Sequence, residues 1–188
     1  MTPECRSGEP VGTGPEPVEG SIVLVGAPGS GKTTVGRALA DRLGLGFADV
    51  DAVIVDRVGK PIAEIFADDG EDAFRRLEEQ VTAELLDGSG VLALGGGAVL
   101  SARTRTALRG RRVVWLRVGL GAAAKRVGMD TARPLLLGNV RSRLLALLNE
   151  RAALYAEVAT DVVDTDDLEP AAVAERIAAG AGPGTRDG

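Results

Sequence analysis

The sequence predicts an α/β protein whose parallel sheet is covered by helices on both faces. Two observations carry this. Short apolar runs alternate along the chain with longer amphipathic stretches, the pattern of strand–helix units. A glycine-rich run also stands between the first apolar run and the first amphipathic stretch, where a parallel sheet turns toward its ligand. The elements follow in order. "SIVLVG" (21–26) is a β-branched run of the kind buried in a parallel sheet. "TVGRALADRLG" (34–44) sets Val35, Leu39 and Leu43 at helical spacing and stops at Gly44. "GFADVD" (46–51) reads as a second strand. The helix of 71–88 places Phe74, Leu77, Val81 and Leu85 on one face. "VLAL" (91–94) and "RRVVWLRV" (111–118) are further strands, and "ATDVVDT" (159–165) is a weaker fifth. Helices are expected over 140–158 and 169–179. No internal repeat is visible.

Composition limits the chemistry. A chain of 188 residues fits one domain, here expected over 21–179. The flanks 1–20 and 180–188, rich in Pro and Gly, read as disordered tails. The start lacks the basic and apolar regions of a secretory signal. The net charge of −5 argues against broad affinity for nucleic acid or anionic membranes, so any anion must be held by a local cluster. One cysteine, Cys5, allows no internal disulfide, which fits the cytoplasm. The absence of histidine excludes Ser–His and Cys–His catalysis and His-based zinc sites. No run approaches the roughly 18 apolar residues of a membrane span.

The motifs point to phosphate. Gly26-x-x-x-x-Gly31-Lys32-Thr33 has P-loop spacing, with a strand before it and a helix after it. Glycines let backbone N–H groups wrap around phosphate oxygens, and the helix N-terminus adds its dipole. Lys32 can reach the β- and γ-phosphates, and the Thr33 hydroxyl can ligate Mg²⁺. Asp49 and Asp51 close the second strand. Strand alternation sends both to one side, so one can hold magnesium through water while the other takes or orients a substrate proton. The simpler reading of Asp51 is a helix N-cap. Gly95, Gly96 and Gly97 follow the third strand and permit close approach to a ligand, or merely form a loose turn. Arg75, Arg133 and Arg151 stand in apolar contexts. Each alone would ordinarily be a solvated residue, but a guanidinium fork also suits carboxylate or phosphate.

Together, "GAPGSGKTTVGRALA", "FADVD", "IAEIFADDGEDAFRRLE", "LGGGAV", "TARPLL" and "ERAALYAEVA" resemble the shikimate kinase family, over nearly all of 21–179. The resemblance implies a nucleoside-monophosphate-kinase type of P-loop fold, with a five-stranded parallel sheet in order 2-3-1-4-5 and a mobile lid, roughly 128–141. It implies transfer of the ATP γ-phosphate to the 3-hydroxyl of shikimate, with Mg²⁺, by a cytoplasmic monomer that binds neither nucleic acid nor membrane. Gly29, Ser30, Gly31, Lys32, Thr33 and Thr34 would hold the ATP phosphates and Arg126 the adenine. Thr33 and Asp49 would serve magnesium. Asp51 would orient the attacking hydroxyl, Arg75 and Arg151 would clamp the carboxylate, and Gly95, Gly96 and Gly97 would line the acceptor. Arg133, in the lid, would meet the transferring phosphate, making Lys32, Asp51 and Arg133 the catalytic set. Phe66, Phe74 and Glu78 would shape the pocket. The family places an arginine near adenine where this chain has the acidic "DTDDLEP", so no ATP contact is assigned there.

On the residues alone, two other readings stay open. One is a gluconate or nucleotide kinase on the same scaffold, which the Arg75/Arg151 pair argues against. The other is a nucleotide-responsive interaction module, which would not need Asp51 and Arg133 beside Lys32.

Overall fold

The computed structural model describes residues 20–129 and 137–180. Both expected tails, apart from Gly20 and Gly180, lie outside them, as does the centre of the expected lid with Arg133. The element order is β1 (Ser21–Val25), α1 (Lys32–Leu43), β2 (Phe47–Asp49), α2 (Val50–Val58), α3 (Ile62–Asp68), α4 (Glu71–Leu86), β3 (Gly90–Ala93), α5 (Ala102–Ala107), β4 (Arg112–Arg117), α6 (Leu120–Met129), α7 (Leu137–Val158), β5 (Asp161–Asp164) and α8 (Pro170–Ala178). The five strands form one parallel sheet in order β2-β3-β1-β4-β5, the order the resemblance implies.

β1 lies at the centre of that order and is buried along its whole length. Its alternate side chains feed two cores. Val23 and Val25 join Leu92, Val113, Phe74 and Val81 on one face, with Tyr155 of α7. Ile22 and Leu24 join Val91, Val114 and Leu116 on the other, closed by Leu39 of α1 and Val173 and Ile177 of α8. Burial of each large apolar side chain stabilises the fold by about 1.5–3 kcal/mol before entropy is counted. A sheet sealed on both faces leaves one place open to ligand, the crevice beyond the carboxyl ends of the strands.

Three departures from the sequence reading matter for the site. The second strand ends at Asp49 instead of continuing to 51, because α2 begins at Val50. Strand alternation therefore cannot be what brings Asp49 and Asp51 together. Secondly, the buried stripe of α4 runs through Phe74, Glu78, Val81, Thr82 and Leu86, while Leu77 and Leu85 are only partly buried. A glutamate thus holds the place expected of a leucine. Thirdly, α3, α5 and α6 were not marked from sequence. α3 buries only Ile65 and α5 only Thr104, so neither shows an apolar period. α6 buries the small Ala123 and Ala124 in place of large side chains.

Candidate active site

The loop from Gly26 to Gly31 is built by its glycines. Gly29 and Gly31 have φ of 79° and 88°, the left-handed region that other residues enter only with strain. A Cβ on Gly29 would also stand 2.9 Å from the Ala123 carbonyl of α6. Gly31 caps α1 without any side-chain hydrogen bond, so the first-turn N–H groups meet no cap and face an anion site. The half-buried Lys32 folds back over the loop, donating to Gly26 O at 2.8 Å and Ala27 O at 3.2 Å. Burial lowers its amine to about 8, against the opposing pull of Asp51 and Asp49. A cavity of about 390 Å³ opens here between Gly29, Lys32, Thr33, Thr34 and Arg126. Arg126 of α6 is tied to three carbonyls in two backbone segments. It donates to Gly29 O at 3.1 Å, to Thr165 O at 2.5 Å and to Asp166 O at 3.4 Å. The acidic stretch that received no role from sequence is therefore what braces Arg126.

The two aspartates occupy different structural positions. Asp49 is the N-cap of α2: its Oδ1 accepts from Asp51 N at 3.0 Å and Ala52 N at 3.3 Å. Its Oδ2 accepts from the Thr33 hydroxyl at 2.6 Å. The cap expected at Asp51 is thus Asp49, and Asp51 lies in the first turn of the helix. Burial and the neighbouring Asp49 raise the Asp51 carboxyl above its ordinary range, while Lys32 and Arg75 pull it down. Among the described residues no cluster of three acidic, His or Cys ligands exists for a metal. The Thr33 hydroxyl beside an Asp49 carboxylate is a set of two hard oxygens, and it fits a cation that keeps most of its waters and shares phosphate oxygens.

The acceptor side converges on Gly95, Gly96 and Gly97. A Cβ on Gly95 would collide with Glu78 Oε1 and stand 2.8 Å from Asp51 Oδ1. On Gly97 it would stand 2.6 Å from the guanidinium carbon of Arg75. Arg75 is fixed by Glu78 at 2.6 Å and Glu71 at 3.1 Å, and it lies 5.3 Å over the ring of Phe74 and 5.9 Å over that of Phe66. Glu78 is 2% exposed, and burial raises its carboxyl against the pull of Arg75. From α7, Arg151 donates to Gly96 O at 2.9 Å, and Tyr155, to which the sequence reading gave no role, donates to the same oxygen at 2.6 Å.

Two of the buried atoms without a partner among the described residues belong to this side: Glu78 Oε1 and Arg151 Nε. Leaving such groups unpaired costs several times a normal hydrogen bond. One is an acceptor suited to a hydroxyl. The other is a donor on a guanidinium 9% exposed and suited to a carboxylate.

A phosphate loop at the β1–α1 turn, two carboxylates at the junction of β2 and α2, and an arginine-lined acceptor side on a 2-3-1-4-5 sheet define a P-loop kinase acting on a small molecule. The chain matches the model of the shikimate kinase family over residues 28–180, and it belongs to that family, whose members are ATP-dependent. It is 58% identical to the shikimate kinase of Thermobifida fusca (strain YX) over 157 residues, covering 83% of this chain and 91% of that protein. Among solved structures, the shikimate kinase of Acinetobacter baumannii in complex with shikimate superposes with a TM-score of 0.79 at 40% identity, covering 85% of this chain and 91% of that one. A gluconokinase from Sinorhizobium meliloti 1021 shares the fold, with a TM-score of 0.58 at 24% identity over 86% of this chain and 90% of that one. No helix among the described residues is long and apolar enough to cross a membrane.

Proposed function

We infer that the chain transfers the γ-phosphate of ATP to the 3-hydroxyl of shikimate, giving shikimate 3-phosphate and ADP. The observation that carries the substrate reading is the buried Arg151. Its unpartnered Nε faces a need for an anion, and Arg75 enters the same glycine turn from α4. The family and the shikimate-bound Acinetobacter relative support the same choice.

In this reading the hydroxyl oxygen attacks the γ-phosphorus as the bond to the ADP oxygen breaks. Positioning and neutralisation of charge dominate such reactions. Lys32 neutralises the transferring phosphate. Asp51, drawn toward Lys32 and Arg75, aims the hydroxyl and accepts its proton as the new bond forms. Arg75 and Arg151 bind the carboxylate, and Glu78 Oε1 accepts from a ring hydroxyl. Gly29 to Thr34 carry the phosphate chain, Arg126 flanks the adenine, and Arg133 is assigned to the transferring phosphate. Thr33 and Asp49 would hold Mg²⁺, which when bound neutralises charge on the β- and γ-phosphates. A monomeric cytosolic enzyme suits a soluble substrate and a chain with a single cysteine.

An ADP-release assay over shikimate, quinate, gluconate and nucleoside monophosphates tests the inference. Shikimate should be the one efficient acceptor. Equal turnover of gluconate or a nucleotide would overturn it.

A further inference from the structure

Asp49 is bonded to both halves of the site. It is the last residue of β2, paired in register with Ala93 of β3, and its extended backbone makes it the N-cap of α2. Its two oxygens serve different elements. Oδ2 accepts from the hydroxyl of Thr33, in the first turn of α1, at 2.6 Å. Oδ1 accepts from the backbone amides of Asp51 and Ala52 at 3.0 and 3.3 Å. One carboxylate thus links the helix of the phosphate loop to the turn of backbone that carries Asp51.

The two ends of α2 are held by different means. Val50 and Ile54 are fully buried and seat the helix on the core. Asp51 is only half-buried, and its Oδ1 would stand 2.8 Å from a Cβ on Gly95. Lys32 and Arg75 attract its charge, but among the described residues no hydrogen bond holds its carboxylate. Its direction is therefore set by its own backbone, and the bond on that backbone amide comes from Asp49. The first amides of a helix have no partner within the helix, so a first turn without a cap frays.

We propose that Asp49 is a positioning residue for the acceptor: by capping α2 it fixes the backbone from which Asp51 reaches the substrate hydroxyl, apart from any role in holding magnesium. This rests on the reading of Asp51 as the residue that binds that hydroxyl. Loss of a helix cap shifts the local equilibrium by about five-fold. Affinity for the acceptor falls with the population of the competent turn.

Isothermal titration of shikimate without nucleotide and with EDTA reads this role apart from the metal. Asp49→Asn and Asp49→Ser keep a capping oxygen, Asp49→Ala does not, and all three lack the charge. The Asn and Ser variants should agree in Kd within about two-fold, and the Ala variant should bind about five-fold more weakly than either. Equal Kd values for all three would assign any effect to charge and overturn the proposal. A parent protein that did not bind shikimate would remove the substrate reading itself, and the proposal with it. Hydrogen exchange on the unaltered protein guards against a variant that does not fold. The amides of Asp51 and Ala52 should be protected without ligand and more strongly protected with shikimate, since a cap that favours binding is favoured by it. Exchange at the unprotected rate, or no gain on binding, would refute the role.

Discussion

The phosphate loop and the acceptor side meet at one glycine turn but are held ready in different ways. The phosphate side is one consecutive run from Gly26 to Thr34, shaped by positive-φ glycines and by the start of α1. Lys32 is already engaged with two loop carbonyls and Thr33 with Asp49, while the buried Ser30 Oγ alone is left unpaired there. The acceptor side is drawn from α2, α4, α7 and the turn after β3, and it keeps Glu78 Oε1 and Arg151 Nε unpaired. A site made of backbone is preformed by local geometry. One made of side chains from distant elements is completed by its ligand, so substrate identity is decided on that side.

The largest effect should come from the loop. Lys32→Ala removes a charge most useful as the phosphate transfers, and kcat should fall by about 10²–10³ with the fold retained. Near-normal turnover would mean that the loop does not hold the reacting phosphate. On the acceptor side, Arg151→Lys and Arg75→Lys should each raise KM for shikimate about ten-fold, with KM for ATP unchanged, because an ammonium cannot copy the two-pronged fork. An equal rise in both KM values would erase the distinction between the two regions.

The effect of pH should be smaller and confined to the nucleotide side. The Lys32 amine is lowered from 10.5 to about 8. It is charged below that pH and neutral above it in the free enzyme. A profile of kcat/KM for ATP, which reports free-enzyme ionisations, should therefore decline as pH rises through about 8, by about two-fold at the midpoint. A flat profile from pH 7 to 9 would contradict the burial assigned to that amine. The smallest effect belongs to neither region. Ser101 caps α5, with its Oγ accepting from Thr104 N at 3.2 Å. Ser101→Ala should cost about 1 kcal/mol, or about 2–4 °C in Tm, with both KM values unmoved.

How much was legible follows the same division. The phosphate loop could be read because its residues are contiguous and its flanking strand and helix are each short and periodic. The convergence of Arg75 and Arg151 came from family resemblance, since residues this far apart in sequence carry no sign of contact. Tyr155 was passed over because a tyrosine in "RAALYAEV" looks like ordinary core, and its four-residue offset from Arg151 gains meaning only beside Gly96. Glu78 was named as a pocket residue, but its complete burial was hidden by Leu77 next to it. The pairing of Asp49 with Asp51 was right in place and wrong in cause, because a cap and a first helical turn achieve what two strand positions were expected to do.

The pairing of Trp115 with Tyr155 has an optical consequence. The chain contains one tryptophan and one tyrosine, and their ring centroids are 5.8 Å apart. At that separation light absorbed by the tyrosine passes to the indole, so the whole protein emits from a single known position behind the glycine turn. The intrinsic emission is thus a native, label-free gauge of what happens at Gly96. Titration with shikimate should change its intensity.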